Sequence, residues 1–279
     1  MNMDAKRLLL AIASVSWAAI GCIIPPPQSA TAPPGSAASI GAGAGAATPE
    51  PAPAAAPATT APAPVAASSG PVALPAGFKD CGPDGMLDDG EDGNNQNMAV
   101  GNRGGYWYTF RDKKGTVIEP VAGEDGGTFA MSEGGHGGQF AARFHGKIGT
   151  GAPLFGGMGM NFVDPKASYD ASKYAGISFW ARRAENSTPK VRLKLPDGNT
   201  DPDGGACTEC FNDFGGDLVL TPEWKMYIYP WSAAKQMPGW GNPRKPHINP
   251  AKVYGIQFQV NVPSANYDIY VDDLKFICK

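Results

Sequence analysis

The sequence of residues 75–279 predicts an all-β domain built as a sandwich of two packed sheets. Short runs that alternate apolar and polar residues recur along it, separated by Gly, Pro, Asn and Asp turn signals. No stretch after residue 75 shows an amphipathic helix longer than about two turns. The length of about 205 residues suits a single domain with a hydrophobic core.

Eight predicted strands make up this domain. They span residues 106–111, 139–145, 158–162, 177–182, 190–195, 224–229, 253–260 and 267–277. Successive side chains of a strand point to opposite faces, so the alternation assigns each residue to one face. Val191 and Leu193 are therefore expected in the core. Arg192 and Lys194 are expected on the opposite face of the same strand.

Polar and aromatic side chains occupy the strand faces that are turned away from the core. Gln257 and Gln259 share one such face, and Trp180 and Arg182 share another. Aromatic rings cover the apolar C–H face of a sugar, while Arg and Gln side chains form paired hydrogen bonds with neighbouring hydroxyls. These faces indicate a sugar-binding surface. The alternative is that the tryptophans fill the sandwich and the polar side chains are merely solvated.

Residues 1–21 are predicted to be a signal peptide. Their apolar run, residues 8–21, is shorter than the roughly 20 residues that a membrane-spanning helix needs. The residues that end in Cys22 resemble a lipobox, with Ala19 where Leu is more usual, so Cys22 would carry a lipid. A plain signal peptide cut near Ala18 or Ala19 is the alternative. Both predict an exported protein, and the lipid predicts membrane anchoring in the cell envelope, at the outer membrane or cell surface.

Residues 22–74 are predicted to be a disordered, Pro/Ala-rich tether. From residue 25 onward they are almost wholly Pro, Ala, Thr, Ser and Gly, with one charged residue, Glu50, and no aromatic residue. Such a segment buries too little apolar surface to offset the loss of chain entropy on folding.

The four cysteines of the domain predict disulfide bonds. An even count in an oxidising compartment allows three pairings of Cys81, Cys207, Cys210 and Cys278. We favour Cys81 with Cys278, because the two ends of a compact domain are often neighbours. Cys207 and Cys210 would then close a tight loop. A redox or zinc site is the alternative for this CxxC motif, but no second CxxC exists and the three His residues are scattered.

The sequence does not indicate an enzyme. It lacks the motifs of nucleophile elbows, zinc proteases and phosphate-binding loops. His136 lies in a Gly-rich segment, residues 134–138, with no evident acid partner. The formal net charge of -3 argues against nucleic acid as a partner.

Seven blocks, spread over about residues 84–277, share the pattern of a known fold. They are residues 87–93, 105–110, 169–182, 220–225, 239–241, 256–259 and 268–274. Together they resemble the galactose-binding-like jelly rolls, and in particular the family-11 carbohydrate-binding modules. The first strand of that family usually reads Asp-Asp-Phe-Glu, and here Gly90 replaces the aromatic residue.

The resemblance implies a ligand and a metal. Such modules bind β-glucan chains along a concave sheet and contain structural calcium, which takes six to eight oxygen ligands. The predicted ligand-binding residues are Trp107, Tyr108, Trp180, Arg182, Arg192, Lys194, Trp240, Gln257 and Gln259. The predicted calcium ligands, which converge if the first and last strands pair, are Asp88, Glu91, Asp272 and Asp273.

We therefore predict non-catalytic polysaccharide binding by an exported, lipid-tethered protein that gathers a glycan or holds a partner enzyme near it. The alternative is a structural or adhesive envelope protein whose jelly roll binds protein or no specific ligand. The glycan-binding hypothesis requires that six side chains line one accessible groove, and the structural or adhesive alternative does not. These are Trp180, Arg182, Arg192, Lys194, Gln257 and Gln259.

Overall fold

The computed structural model describes residues 73–279, which contain thirteen β-strands and five short 3-10 turns. The strands are β1 (Lys79–Asp80), β2 (Met86–Asp88), β3 (Trp107–Arg111), β4 (Val117–Glu119), β5 (Ser132–Glu133), β6 (Phe140–Lys147), β7 (Gly156–Asn161), β8 (Gly176–Arg183), β9 (Lys190–Leu195), β10 (Phe214–Val219), β11 (Lys225–Pro230), β12 (Gly255–Val260) and β13 (Asn266–Cys278). The 3-10 turns are Pro83–Gly85, Gly123–Asp125, Pro202–Gly204, Trp231–Ala233 and Pro250–Lys252.

The strands form two antiparallel sheets. The first sheet has the order β11-β8-β13-β6-β4, with β1 and β2 also pairing with β13 and β5 pairing with β6. The second sheet has the order β10-β9-β12-β7-β3. The two sheets enclose one core, and the described residues contain no α-helix. The predicted all-β sandwich is confirmed.

Alternate residues of both sheets fill the core between them. In the second sheet Val191, Leu193 and Phe258 are each at most 2% exposed. Phe179 of the first sheet meets Phe258 edge to face, with ring centroids 5.0 Å apart. Burial of each such side chain stabilises the fold by about 1.5 to 3 kcal/mol. The core face predicted from the alternation is therefore the observed one.

One strand of the second sheet escaped sequence prediction. Strand β10 begins Phe214-Gly215-Gly216, and glycines are unfavourable in strand interiors. The structure shows why Gly215 is present: its φ is 155°, and a Cβ there would lie 1.9 Å from the carbonyl oxygen of Leu193 on β9. Gly215 thus permits a close approach of the two backbones. Because glycine is unfavourable in strand interiors, the two glycines also kept β10 from being predicted from the sequence. All eight predicted strands are present, and Lys190–Leu195 was predicted to the residue.

Both favoured disulfide bonds are present. Cys81 is bonded to Cys278, and Cys207 to Cys210. The first bond joins residues 197 apart in sequence, next to the pairing of β1 with β13. In the chain-entropy model, closing so long a loop stabilises a protein by about 5 kcal/mol.

The predictions for residues 1–21, for Cys22 and for the tether up to residue 72 lie outside the described residues. Between residues 73 and 279, no helix has both the length and the apolar character needed to cross a membrane.

Candidate functional site

A groove lies on the outer face of the second sheet, the face turned away from the core. It has a volume of about 940 Å³. Strands contribute one part of its lining: Tyr108, Phe110, Arg192, Lys194, Gln257 and Gln259. Loops contribute another: Phe155, Phe211, Asp213, Met237 and Trp240.

Strand pairing arranges the outer face in two rows that cross the sheet. The first row is Tyr108, Gly159, Gln257, Lys194 and Gly215. The second row is Phe110, Gly157, Gln259, Arg192 and Asp217. Strands lie about 4.8 Å apart, so each row is about 19 Å long. The rows place aromatic rings at one edge, amides in the middle and charges at the other edge.

Two glycines of β7 make room for the aromatic rings. A Cβ at Gly159 would lie 2.7 Å from the Tyr108 hydroxyl oxygen and 2.9 Å from Cγ of Gln257. A Cβ at Gly157 would lie 2.6 Å from Cζ of Phe110. The Tyr108 and Phe110 side chains therefore lean across β7, with ring centroids 6.1 Å apart.

The cations of the groove are paired with carboxylates. Arg192 lies 3.0 Å from Asp217, and Lys194 lies 3.0 Å from Asp213. Asp213 is 2% exposed, and its Oδ1 has no hydrogen-bond donor among residues 73–279. A buried acceptor without a donor costs about 1 to 3 kcal/mol of stability.

Tyr108 serves as a neutral hydrogen-bonding group. Burial raises the pKa of its phenol to about 12, although the hydrogen bond from Gln257 acts in the opposite direction. The Gln257 side-chain amide donates to the phenolic oxygen at 3.0 Å. Because Tyr108 keeps its proton at neutral pH, it remains a hydrogen-bond donor.

Two aromatic rings at the groove are unusually exposed. Phe211 is 60% exposed and Trp240 is 43% exposed. Both stand on loops that border the second sheet. Large exposed apolar groups around a concave surface are typical of binding sites.

Six of the nine predicted ligand-binding residues line the groove. They are Tyr108, Arg192, Lys194, Trp240, Gln257 and Gln259. Trp107 does not: it is 3% exposed, stacks on Phe129 and donates its indole N–H to Asp88. Successive side chains of a strand point to opposite faces, so Trp107 faces the core because its neighbour Tyr108 faces the groove.

Trp180 and Arg182 lie on β8, in the other sheet, so the six side chains that were to separate the two alternatives do not all line one groove. His136 stacks on Trp180 with ring centroids 3.7 Å apart. The Arg182 guanidinium lies 3.7 Å from the ring centroid of Tyr270 and 5.2 Å from that of Trp224. Alternation predicts which face of a strand a residue occupies, but it does not predict which sheet the strand joins. The other four residues of that set do share the groove.

Asp88 lies on β2 opposite Leu274 of β13, so the first and last strands do pair. Its carboxylate accepts the indole N–H of Trp107 and the backbone N–H of Gly90. Burial raises its pKa to about 6, although these two hydrogen bonds lower it.

The other three predicted calcium ligands, Glu91, Asp272 and Asp273, lie near the Gly-rich segment 134–138. Asp272 accepts the backbone N–H of His136 at 2.6 Å, and Glu91 accepts backbone N–H groups at the start of β6. Burial raises the pKa of Asp272 to about 7, and the charges of Asp273 and Glu91 add to the rise. In residues 73–279 no three His, Cys, Asp or Glu side chains are arranged as metal ligands, so calcium stays a prediction.

Sequence reasoning missed several side chains at these sites. Phe110 could have been found, since it lies two residues from Tyr108 on the same strand face. Phe211 and Asp213 lie in the loop before β10, and no alternation of residues predicts where the side chains of a loop point. His136 does have an acid partner, because its Nδ1 lies 2.8 Å from Asp273, which is 137 residues away in sequence.

Comparisons with known proteins found no matching family model and no matching curated protein. Among solved structures, the family 11 carbohydrate-binding module from Clostridium thermocellum in complex with a β-1,3-1,4-mixed-linked tetrasaccharide is similar. It has 16% identity and a TM-score of 0.47, over 70% of this chain and 95% of that chain. The family 30 carbohydrate-binding module of a cellulosomal cellulase from Clostridium thermocellum has 12% identity and a TM-score of 0.44. The match covers 62% of this chain and 91% of that chain.

A third similar structure is TmCBM61 in complex with β-1,4-galactotriose. It has 14% identity and a TM-score of 0.34, over 70% of this chain and 98% of that chain.

Proposed function

We propose that the groove of the second sheet binds a polysaccharide chain without transforming it. One observation supports this most strongly: the exposed rings of Trp240 and Phe211 border a sheet face whose rows join aromatic, amide and guanidinium groups. A sugar ring has an apolar face and a rim of hydroxyls, and this arrangement matches both parts.

Stacking would use the aromatic side chains. Trp240 and Phe211 are exposed enough to cover a pyranose face directly. Tyr108 and Phe110 lean across the glycines of β7 and extend the aromatic surface over the sheet. Such planar contacts are tolerant of the ligand's position along the groove, which suits a chain of repeated units.

Hydrogen bonding would use the two rows of the sheet. Gln257 and Gln259 each offer a donor and an acceptor, and Arg192 offers a fixed guanidinium. Uncharged hydroxyls suit this face, since its cations already have carboxylate partners.

The proposal includes no catalytic step. Glycoside hydrolysis uses a carboxylic acid and a carboxylate on either side of the bond to be cut. Each carboxylate at the groove forms an ion pair: Asp213 with Lys194, Asp217 with Arg192, and Glu124 with Lys113. We therefore assign these groups to positioning the cations rather than to proton transfer.

The finer parts of the proposal concern the ligand and the location. We propose a β-glucan as the ligand, and an exported protein held at the cell envelope by a lipid on Cys22 and the Pro/Ala-rich tether. The two disulfide bonds support an oxidising compartment, where such bonds persist.

Retention on polysaccharides tests the proposal. The purified protein is run through affinity gels that contain β-glucans, galactans or no glycan, and is screened on a glycan array. We expect retardation by a β-glucan. A folded protein that no glycan retains would contradict the proposal and favour the structural or adhesive alternative.

Replacing Trp240 with alanine is expected to weaken glycan binding by about 1 to 3 kcal/mol and to leave the fold intact, since the ring is exposed. Isothermal titration with the retained glycan measures the change. Trp224→Ala is the matched control, because Trp224 lies beside Arg182 on the other sheet. Equal affinities for wild type and W240A would remove Trp240 from the site.

Calcium is expected to raise the thermal unfolding midpoint, and a chelator to lower it. The physical reason is that a cation would offset the repulsion of Glu91, Asp273 and the buried Asp272. Differential scanning calorimetry with and without chelator measures the shift, and Glu91→Gln serves as the variant that should not respond. An unchanged midpoint in wild type would remove calcium from the proposal.

A further inference from the structure

Two loops form the rim of the groove at Trp240. The disulfide loop comprises residues 207–212 and contains the bond between Cys207 and Cys210. The Trp240 loop comprises residues 236–243. The sequence singled out this CxxC motif, and the proposed binding of a glycan gives it no role by itself.

Asn212 joins the two loops with its side chain. Its amide nitrogen donates to the carbonyl of Met237 at 2.9 Å and to that of Trp240 at 2.6 Å. Its amide oxygen accepts the N–H of Met237 at 2.9 Å. Asn212 is 2% exposed, so these hydrogen bonds are shielded from water. Trp240 is thus held through its backbone, while its ring stays exposed.

A second set of contacts joins the loops on the other side of Trp240. The N–H of Gly241 donates to the Glu209 carboxylate at 3.1 Å. The side chain of Asn242 donates to the Thr208 hydroxyl at 2.7 Å. Backbone hydrogen bonds also pair Glu209 with Asn242. In the contacts to the Glu209 and Thr208 side chains the donors belong to the Trp240 loop, whereas the backbone hydrogen bonds between Glu209 and Asn242 run in both directions.

The disulfide bond fixes the residues that make these contacts. It joins cysteines only 3 residues apart, whereas the other disulfide joins cysteines 197 apart. A cross-link over so short a loop removes little freedom from the unfolded chain, so its main effect is local. Phe211 follows at a φ of 72°, a conformation that a non-glycine residue adopts only where its surroundings hold it.

We propose that the disulfide between Cys207 and Cys210, acting through Glu209 and Asn212, is a positioning device that holds Trp240 ready for the ligand. Neither cysteine needs to touch the glycan. The effect on affinity rests on the proposed function, whereas the effect on the order of the Trp240 loop does not. A loop that is ordered before binding loses less entropy when the ligand arrives.

Two variants and a matched control test the proposal. Cys207→Ser with Cys210→Ser removes the cross-link and leaves every contact residue in place. Asn212→Asp keeps the size and the acceptor but removes the donors to Met237 and Trp240. Cys81→Ser with Cys278→Ser removes the other disulfide, at the far ends of the domain sequence. All are measured in the full protein, at a temperature where each is folded.

Amide hydrogen exchange at Met237 and Gly241 is the first measurement, because both N–H groups donate to the disulfide loop. We expect exchange at least tenfold faster in the two loop variants and unchanged in the control. Affinity for the retained glycan is the second measurement, with a loss of about tenfold expected in the loop variants only.

Each outcome decides a different question. Wild-type exchange at both amides in both loop variants would overturn the positioning role. Faster exchange with unchanged glycan affinity would also overturn it, since Trp240 would then need no positioning. If wild type binds no glycan while exchange still rises, the link between the loops stands and the proposed function falls.

Discussion

Replacing Arg103 with alanine is expected to lower the free energy of unfolding by about 3 to 5 kcal/mol. Arg103 is 6% exposed and has no carboxylate partner within the described chain. Its guanidinium donates to the carbonyls of Asp84 and Met86 and to the Tyr169 hydroxyl. It also lies 5.7 Å from the ring centroid of Phe276. The variant leaves buried acceptors without donors and a cavity beside two rings.

Thermal and urea unfolding measure this loss. At about 2 to 4 °C per kcal/mol for a domain of this size, the midpoint should fall by about 6 to 20 °C. Arg244→Ala is the control, since Arg244 is exposed and a surface substitution of this kind changes stability by at most about 0.5 kcal/mol. A loss below 1 kcal/mol in R103A would mean that water replaces the guanidinium at both carbonyls.

Replacing Gly159 with valine is expected to reduce glycan affinity by about a hundredfold, or about 3 kcal/mol. A Cβ at this position would lie 2.7 Å from the Tyr108 hydroxyl oxygen and 2.9 Å from Cγ of Gln257. Both contacts are with side chains, so the side chains rather than the strand would move. Their mutual hydrogen bond would break, and both would be displaced into the space proposed for the ligand.

The fold should tolerate this change, because valine is favoured in strands. Far-ultraviolet circular dichroism checks the fold, and titration with the retained glycan checks the affinity. Gly123→Val is the control, since a Cβ at Gly123 meets nothing within 4 Å. Undiminished binding by G159V would place the ligand away from Tyr108 and Gln257.

The alternation of apolar and polar residues correctly predicted which side chains of the neighbouring strands β9 and β12 line the groove. Arg192 and Lys194 were placed on one face of β9, and Gln257 and Gln259 on one face of β12. These faces form one surface because β9 and β12 pair, with Gln259 opposite Arg192. The rule needs only the local period of a strand, which the sequence contains.

Alternation failed for Trp180, whose face was predicted but whose sheet was not. Strand β8 pairs with β11 and β13, so its outer face lies on the opposite side of the sandwich from the groove. Which strands pair depends on contacts between residues far apart in the chain. No period within one strand contains that information.

The loops were the least predictable part of the site. Asn212 reaches Trp240 across 28 residues of sequence, and nothing in the residues between them signals the contact. Asp213 pairs with Lys194 only because β10 returns beside β9. Such residues acquire their roles from tertiary packing, so single-residue patterns do not single them out.

The bond between Cys81 and Cys278 also determines where the domain takes a mechanical load. A pull from the N-terminal side would first unzip the two residues of β1, and would then meet the covalent link to the end of β13. Force would therefore enter the longest strand, which is hydrogen-bonded on both sides in the first sheet. The strands under the groove belong to the second sheet, so a load between the N-terminal side and a ligand held in the groove would have to cross the core that joins the two sheets.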